Sequence, residues 1–213
     1  MSIGIIIDCF VVVDSLIIVW YIVNQLAGFN FKNKAIVYNQ NQNKFILDDN
    51  KALAALLYVS QRVSNLYNIM KVIYFADKEH LSKYGRLIYG ETYKAMKSGQ
   101  VPSRVYDIIK FVRGDGTISF DNKIKEMFTV EGNNKIVART KPDINHLSDS
   151  DKKVLDKAIG EYGKTHYIGL FYKSHKDSAY KKTELNKEIT LENIVESLDN
   201  KETVKKYLAN IYC

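Results

Sequence analysis

The densest group of residues able to do chemistry is the tetrapeptide Asp77-Lys78-Glu79-His80. Asp77 and His80 stand three residues apart, so on a helix they share a face and could act as a ligand pair or an acid/base pair. The same His80 continues an apolar stripe running from Leu66 through Ile73 and Ala76 to Tyr84, which is the pattern of a hydrogen-bonded core histidine. A lone pair of this kind is weak evidence for catalysis, and the core reading is the better supported of the two. His146, His166 and His175 are widely separated and lack the spacing of a helical zinc motif. A phosphate-cradling GxxxxGK[ST] loop and a GxSxG nucleophile elbow are both absent. The two cysteines, Cys9 and Cys213, form neither a CxxC motif nor a disulfide framework, which suits a reducing compartment. The pattern calls for no metal and no cofactor.

Contact chemistry is better represented. Tyr84, Tyr89, Tyr93 and Tyr106 cluster within a short stretch, and tyrosine offers large contact area at low entropic cost. The alternative is that they pack a hairpin onto helices, with their hydroxyls satisfied. Lys173, Lys176, Lys181 and Lys182, with Tyr172 and Tyr180, make a basic-aromatic patch suited to an acidic protein face or to RNA, or simply to a solvated helix end. No helix-turn-helix or RNP-type signature supports direct nucleic-acid reading.

The elements that must position these residues are mostly helical. Asp48, Asp49 and Asn50 offer N-caps for a helix over about 51–61. A second helix is expected over about 64–84, closed by Gly85. The run RLIYGETYKAMKSG reads as two short strands or a hairpin, with Gly90 as punctuation. Pro102 and Ser103 open a helix through Phe111, and the GDG at 114–116 breaks it. KEMFTVE and KIVARTK flank the turn residues Gly132, Asn133 and Asn134 as a hairpin. Ser148 and Asp151 form a capping box ahead of a helix over about 149–162. Thr165 is a cap for a short helix to Tyr172, and Thr190 and Asn200 start two final helices. Two short apolar runs, AIVY and KFIL, precede all of this around a polar turn. The expected fold is α+β: a mainly helical single domain over residues 32–213 with two short β-hairpins.

Residues 1–31 differ in kind. Ile3 to Val23 is almost wholly apolar and long enough to span a bilayer as a helix, with Trp20 and Tyr21 at interfacial positions and Lys32 and Lys34 beyond. Its 14 Ile, Leu, Val and Phe residues favour insertion by roughly 4–8 kcal/mol, while Asp8 and Asp14 oppose it by up to about 3 kcal/mol each. Residues 3–23 therefore read as a membrane anchor with its lysine side cytoplasmic, as a buried element of the domain, or as an extension outside the working protein. Net charge is +7, and it is +9 past residue 31, interleaved with acids rather than blocked.

One stretch carries more than composition. Lys71 to Val112 resembles the core motif of the Panacea (SocA-like) antitoxin domain. The matching positions are Tyr74, Phe75, Ala76, Asp77, Glu79, His80 and Leu81, then Tyr84, Gly85, Arg86, Ile88 and Gly90. Tyr93, Ala95, Met96 and Gly99 follow, and then Val101, Pro102, Ser103, Tyr106 and Asp107. Later, Ser174, His175 and Tyr180 resemble the family's segment of Ser-His followed by an aromatic residue. Gln100 stands where the family usually has proline, and Tyr180 where tryptophan is common. The resemblance spans about residues 32–213. It implies a cytoplasmic, non-enzymatic antitoxin that binds a cognate toxin, usually the product of the adjacent gene, and that in some relatives hands the toxin to a protease. On this reading Asp77, His80, Tyr84, Tyr89, Tyr93, Arg104, Tyr106 and His175 are the candidate partner-contact residues. The competing reading is a small metal-dependent or acid/base enzyme centred on Asp77, Glu79 and His80.

Overall fold

The computed structural model describes residues 38–39 and 44–210. The apolar segment with its anchor, core and extension readings lies outside the described residues, as do Cys9, Cys213 and most of the AIVY run. Among the described residues, no helix is long and apolar enough to cross a membrane.

Chain order follows from local chemistry. Strands β1 (Tyr38–Asn39) and β2 (Lys44–Phe45) pair antiparallel. The Asp48 carboxylate then accepts from Lys51 N and caps helix α1 (Asp49–Ser60). Asn65 caps α2 (Leu66–Tyr84) in the same way, and Gly85, at φ +67, closes it in the left-handed conformation. Next come β3 (Tyr93–Met96), β4 (Gly99–Pro102), α3 (Ser103–Arg113), α4 (Ile124–Met127), β5 (Phe128–Glu131) and β6 (Lys135–Ala138). A 3-10 turn at Ile144–His146 leads to α5 (Asp149–Tyr162), whose N-terminus carries the expected capping box between Ser148 and Asp151. Helices α6 (Tyr167–Lys176) and α7 (Ser178–Lys181), strand β7 (Glu188–Ile189), and helices α8 (Leu191–Glu196) and α9 (Lys201–Asn210) complete the described chain.

The mainly helical α+β architecture is as expected. Helix α2 is its spine, packing chiefly on α5 and also on α1, α6 and β4. One core joins α1, α2, α3 and α5 with Phe128 and Ile136. A second gathers Tyr74, Leu81, Tyr93, Ala179, Ile194 and Val204 around the other side of α2. Each fully buried Leu, Ile or Val here contributes about 1.5–3 kcal/mol.

Three local expectations shift. The hairpin placed around Gly90 begins instead at Tyr93, with register Tyr93↔Pro102 to Met96↔Gly99, and β7 adds a third strand at Tyr93↔Ile189. Ile88 and Tyr89 are turned to other partners instead of a ladder: Ile88 N donates to Asp77, and Tyr89 O accepts from Asp48 N. Gly90, at φ +76, sits so close to the Ile46 carbonyl that a Cβ would lie 2.3 Å from its oxygen. Helix α6 is capped by His166 rather than Thr165, whose hydroxyl donates to Glu161 O instead. It also runs on to Lys176, where Asp177 ends it and caps α7.

Candidate functional site

Helix α2 carries Lys71, Asp77 and His80 into three separate polar clusters inside the domain. The first surrounds Asp151, the third residue of α5, which is fully buried. One of its oxygens receives Lys51 Nζ at 2.7 Å and Ser148 N at 2.9 Å, and the other lies 3.1 Å from both Arg86 Nη2 and His80 Nε2. Burial alone would raise this carboxyl. The hydrogen bonds from His80 and Lys51 and the charges of Lys51 and Arg86 outweigh it and hold Asp151 well below the usual carboxylate range.

His80 is fully buried. Its Nδ1 lies 2.8 Å from the Arg86 carbonyl, which can only accept, so Nδ1 donates there. Its Nε2 meets Ser150 Oγ, also at 3.1 Å, beside Asp151. Although a serine, a histidine and an aspartate are adjacent, they do not form a nucleophile triad. Such a triad needs the serine and the carboxylate on opposite ring nitrogens, and here both meet Nε2.

The second cluster joins Asp77 and Glu91. Asp77 accepts from Tyr93 Oη at 2.6 Å and Ile88 N at 2.7 Å. Burial raises its carboxyl to about 6, opposed by those two bonds. Glu91 accepts from Tyr89 Oη at 3.1 Å and from the backbone N–H groups of Thr92, Arg104 and Val105. Arg104 and Val105 lie in the first turn of α3, where Pro102 offers no side-chain cap. Glu91 therefore caps α3 from outside the helix. Burial pushes its carboxyl up to about 7, against the pull of the three N–H donors and Tyr89.

The third cluster surrounds Lys71, which is fully buried. Its Nζ donates to the Gln100 carbonyl at 2.6 Å, and burial lowers the amine to about 7. Tyr67 Oη, Gln100 Oε1 and Ser174 Oγ are buried nearby. Gly99, at φ +96, closes the space: a Cβ there would lie 2.8 Å from both Lys71 Nζ and Ser174 Cβ.

The expected contact residues are thus divided. Asp77, His80, Tyr89 and Tyr93 are internal, and the tyrosine rings pack the hairpin onto α2 instead of meeting solvent. Glu79 faces away from both neighbours and pairs with Lys83 and Lys157. The trio proposed for an enzyme therefore does not converge. Among the described residues, no group of three or more His, Cys, Asp or Glu side chains is placed to hold a metal. Tyr84 is 37% exposed, with its ring centroid 4.6 Å from that of His80. Arg104 pairs with Asp49 and lies over the Phe120 ring, and Tyr106 packs beneath Lys110. His175 reaches from α6 to the Lys97 carbonyl in the β3–β4 turn at 3.2 Å, and Tyr180 Oη donates to Met96 O at 2.9 Å. The 174–180 segment therefore clamps the hairpin whose register places Tyr93 on Asp77.

A family model described as the antitoxin SocA-like, Panacea domain matches residues 69–181, more than half of the chain. The chain belongs to this antitoxin family. No curated protein and no solved structure matches it. The matched region of the Panacea domain contains Asp77, His80, Glu91 and Asp151, so the family pattern coincides here with the buried framework. Four buried participants carried no signal as a motif. Lys71 and Glu91 are single charges in apolar or tyrosine-rich runs, and Lys51 sits within a helix-forming stretch. Asp151 was legible only as a capping residue.

Proposed function

We propose that residues 32–213 neutralise a protein toxin by direct binding, and that the toxin is the product of the adjacent gene. The family match over residues 69–181 carries this reading. The geometry agrees with it: the polar residues of the motif are fastened to one another inside the domain, which suits a rigid binding scaffold. A cognate toxin, with no cofactor and no nucleic acid, is the partner this reading requires. Transfer of the bound toxin to a protease is a further step of the same proposal.

Co-expression tests it. The adjacent gene product should arrest growth alone and be tolerated with this chain, and the two should co-purify. A harmless product, or no stable complex, would overturn the reading. The protease step predicts that the toxin's half-life falls when this chain is present; an unchanged half-life under full neutralisation leaves binding alone as the mechanism.

A further inference from the structure

Helix α6 has two unlike faces. Leu170 and Ser174 face inward and are fully buried. The outer face presents Tyr167, Ile168 and Tyr172, which are 48%, 57% and 62% exposed. The rings along it form a continuous ladder. Tyr67 meets Tyr167 at 4.7 Å between centroids, Tyr167 meets Phe171 at 5.8 Å, and Phe171 stacks on His175 at 3.8 Å. His175 then meets Tyr180 at 4.7 Å. A ladder of this kind holds large side chains in fixed rotamers before any partner arrives, so little side-chain entropy remains to be lost on binding.

The charge around it has one sign. From Lys164 to Lys182 the sequence holds five lysines and one acid, Asp177. Asp177 is buried and tied to Lys78, and Lys173 is tied to Glu161. Lys164, Lys176, Lys181 and Lys182 are exposed and form no ion pair among the described residues. An apolar strip flanked by unpaired cations fits a partner that brings an apolar patch edged with carboxylates. Single-stranded RNA also likes basic and aromatic surfaces, but three observations favour protein. The rings already lie against one another instead of standing free to stack on bases, and Ile168 offers no π-face. The sequence also has no arginine after Arg139, so the planar guanidinium suited to phosphates is missing from this face.

We propose that the outer face of α6 is the surface on which the toxin docks, and that the toxin meets it with an apolar patch rimmed by acidic side chains. This rests on the antitoxin reading above, and the experiment separates the two. The full chain and its variants are titrated with the purified adjacent gene product by calorimetry, and each fold is checked by thermal melting. Ile168→Asp and Tyr172→Ala should weaken binding at least ~30-fold, as expected of central aromatic and apolar contacts, with unchanged melting. Lys176→Glu combined with Lys181→Glu should slow association about 10-fold at low salt and flatten its salt dependence. Ile144→Asp, at a 53% exposed site on the 3-10 turn, should change nothing.

No binding by the wild type would sink the antitoxin reading itself. Wild-type binding that every α6 variant retains within twofold would overturn the docking surface alone. So would toxin binding that survives in variants that have lost affinity for a poly(U) 20-mer, or a wild-type dimer that Ile168→Asp dissociates while toxin binding persists.

Discussion

Replacing Lys71 with methionine should stabilise this protein at neutral pH. The lysine is fully buried, lies 5.1 Å from the centre of the Tyr67 ring, and among the described residues faces no carboxylate and makes a single hydrogen bond, to Gln100 O. Burial moves its amine from 10.5 to about 7. At about 1.4 kcal/mol per pH unit, the protonated form costs the folded state roughly 5 kcal/mol at most, and roughly 4 kcal/mol remains at pH 7. The sign follows from proton counts. Between pH 7 and 10.5 the unfolded chain binds more protons at this site, so stability rises with pH across that window. From pH 7 to 9.5 the gain should be roughly 3 kcal/mol. Methionine removes this cost but leaves the Gln100 carbonyl without a donor, at about 1–3 kcal/mol. Lys71→Met should therefore gain about 1–3 kcal/mol at pH 7 and stand nearly level with the wild type at pH 9.5. Urea unfolding followed by circular dichroism at the two pH values measures both numbers. A difference between variant and wild type that does not change with pH, or a loss above 1 kcal/mol at pH 7, would refute the picture of an uncompensated buried amine.

Two other substitutions probe the neighbouring clusters. Asp151→Asn keeps the shape of the hub but leaves Lys51 and Arg86 without their counter-charge, and should cost about 3–5 kcal/mol in urea unfolding at pH 7. Because Asp151 is held low in the folded state, its contribution is present above the ordinary carboxylate range and fades as pH falls, so the gap between variant and wild type should narrow in acid. Glu91→Gln is isosteric, yet both carboxylate oxygens act as acceptors, so the new amide N–H must face a donor at α3 or Tyr89. A loss of about 1–3 kcal/mol at pH 7 is expected. The loss should be accompanied by a weaker fall in stability as pH rises from about 4.5 to 7, where the folded wild type still holds a proton that the unfolded chain has released. Equal stability of Glu91→Gln and wild type would mean that Glu91 does not cap α3.

Much of this architecture can be read without coordinates because the signals are local. The Ser148–Asp151 capping box, the Asn65-to-Gly85 extent of α2 and the Gly132–Asn134 turn each depend on chemistry within a few residues, and each lies where the sequence places it. The family pattern is likewise a linear order of residues. The hairpin from Tyr93 to Pro102 is not legible in the same way, because Gly90 looks like a turn residue, while its positive φ serves a close approach to Ile46, 44 residues earlier in the chain.

What the sequence determined by itself is therefore the longer helices, several of their caps, the presence of short strand pairs and membership of an antitoxin family. Only the tertiary structure decided what the polar residues do. Asp77 and His80 look like one cluster in the chain. In space Asp77 belongs with Tyr93, and His80 with Asp151, 71 residues away, because a helix sends residues three apart past different neighbours. The physical reason is general. A cap reports the backbone beside it, whereas the partner of a buried charge is whatever packing brings within 3 Å. For Lys71 packing brings a carbonyl and no acid, and for Asp151 it brings three cationic or protonatable side chains from α1, α2 and the loop after it.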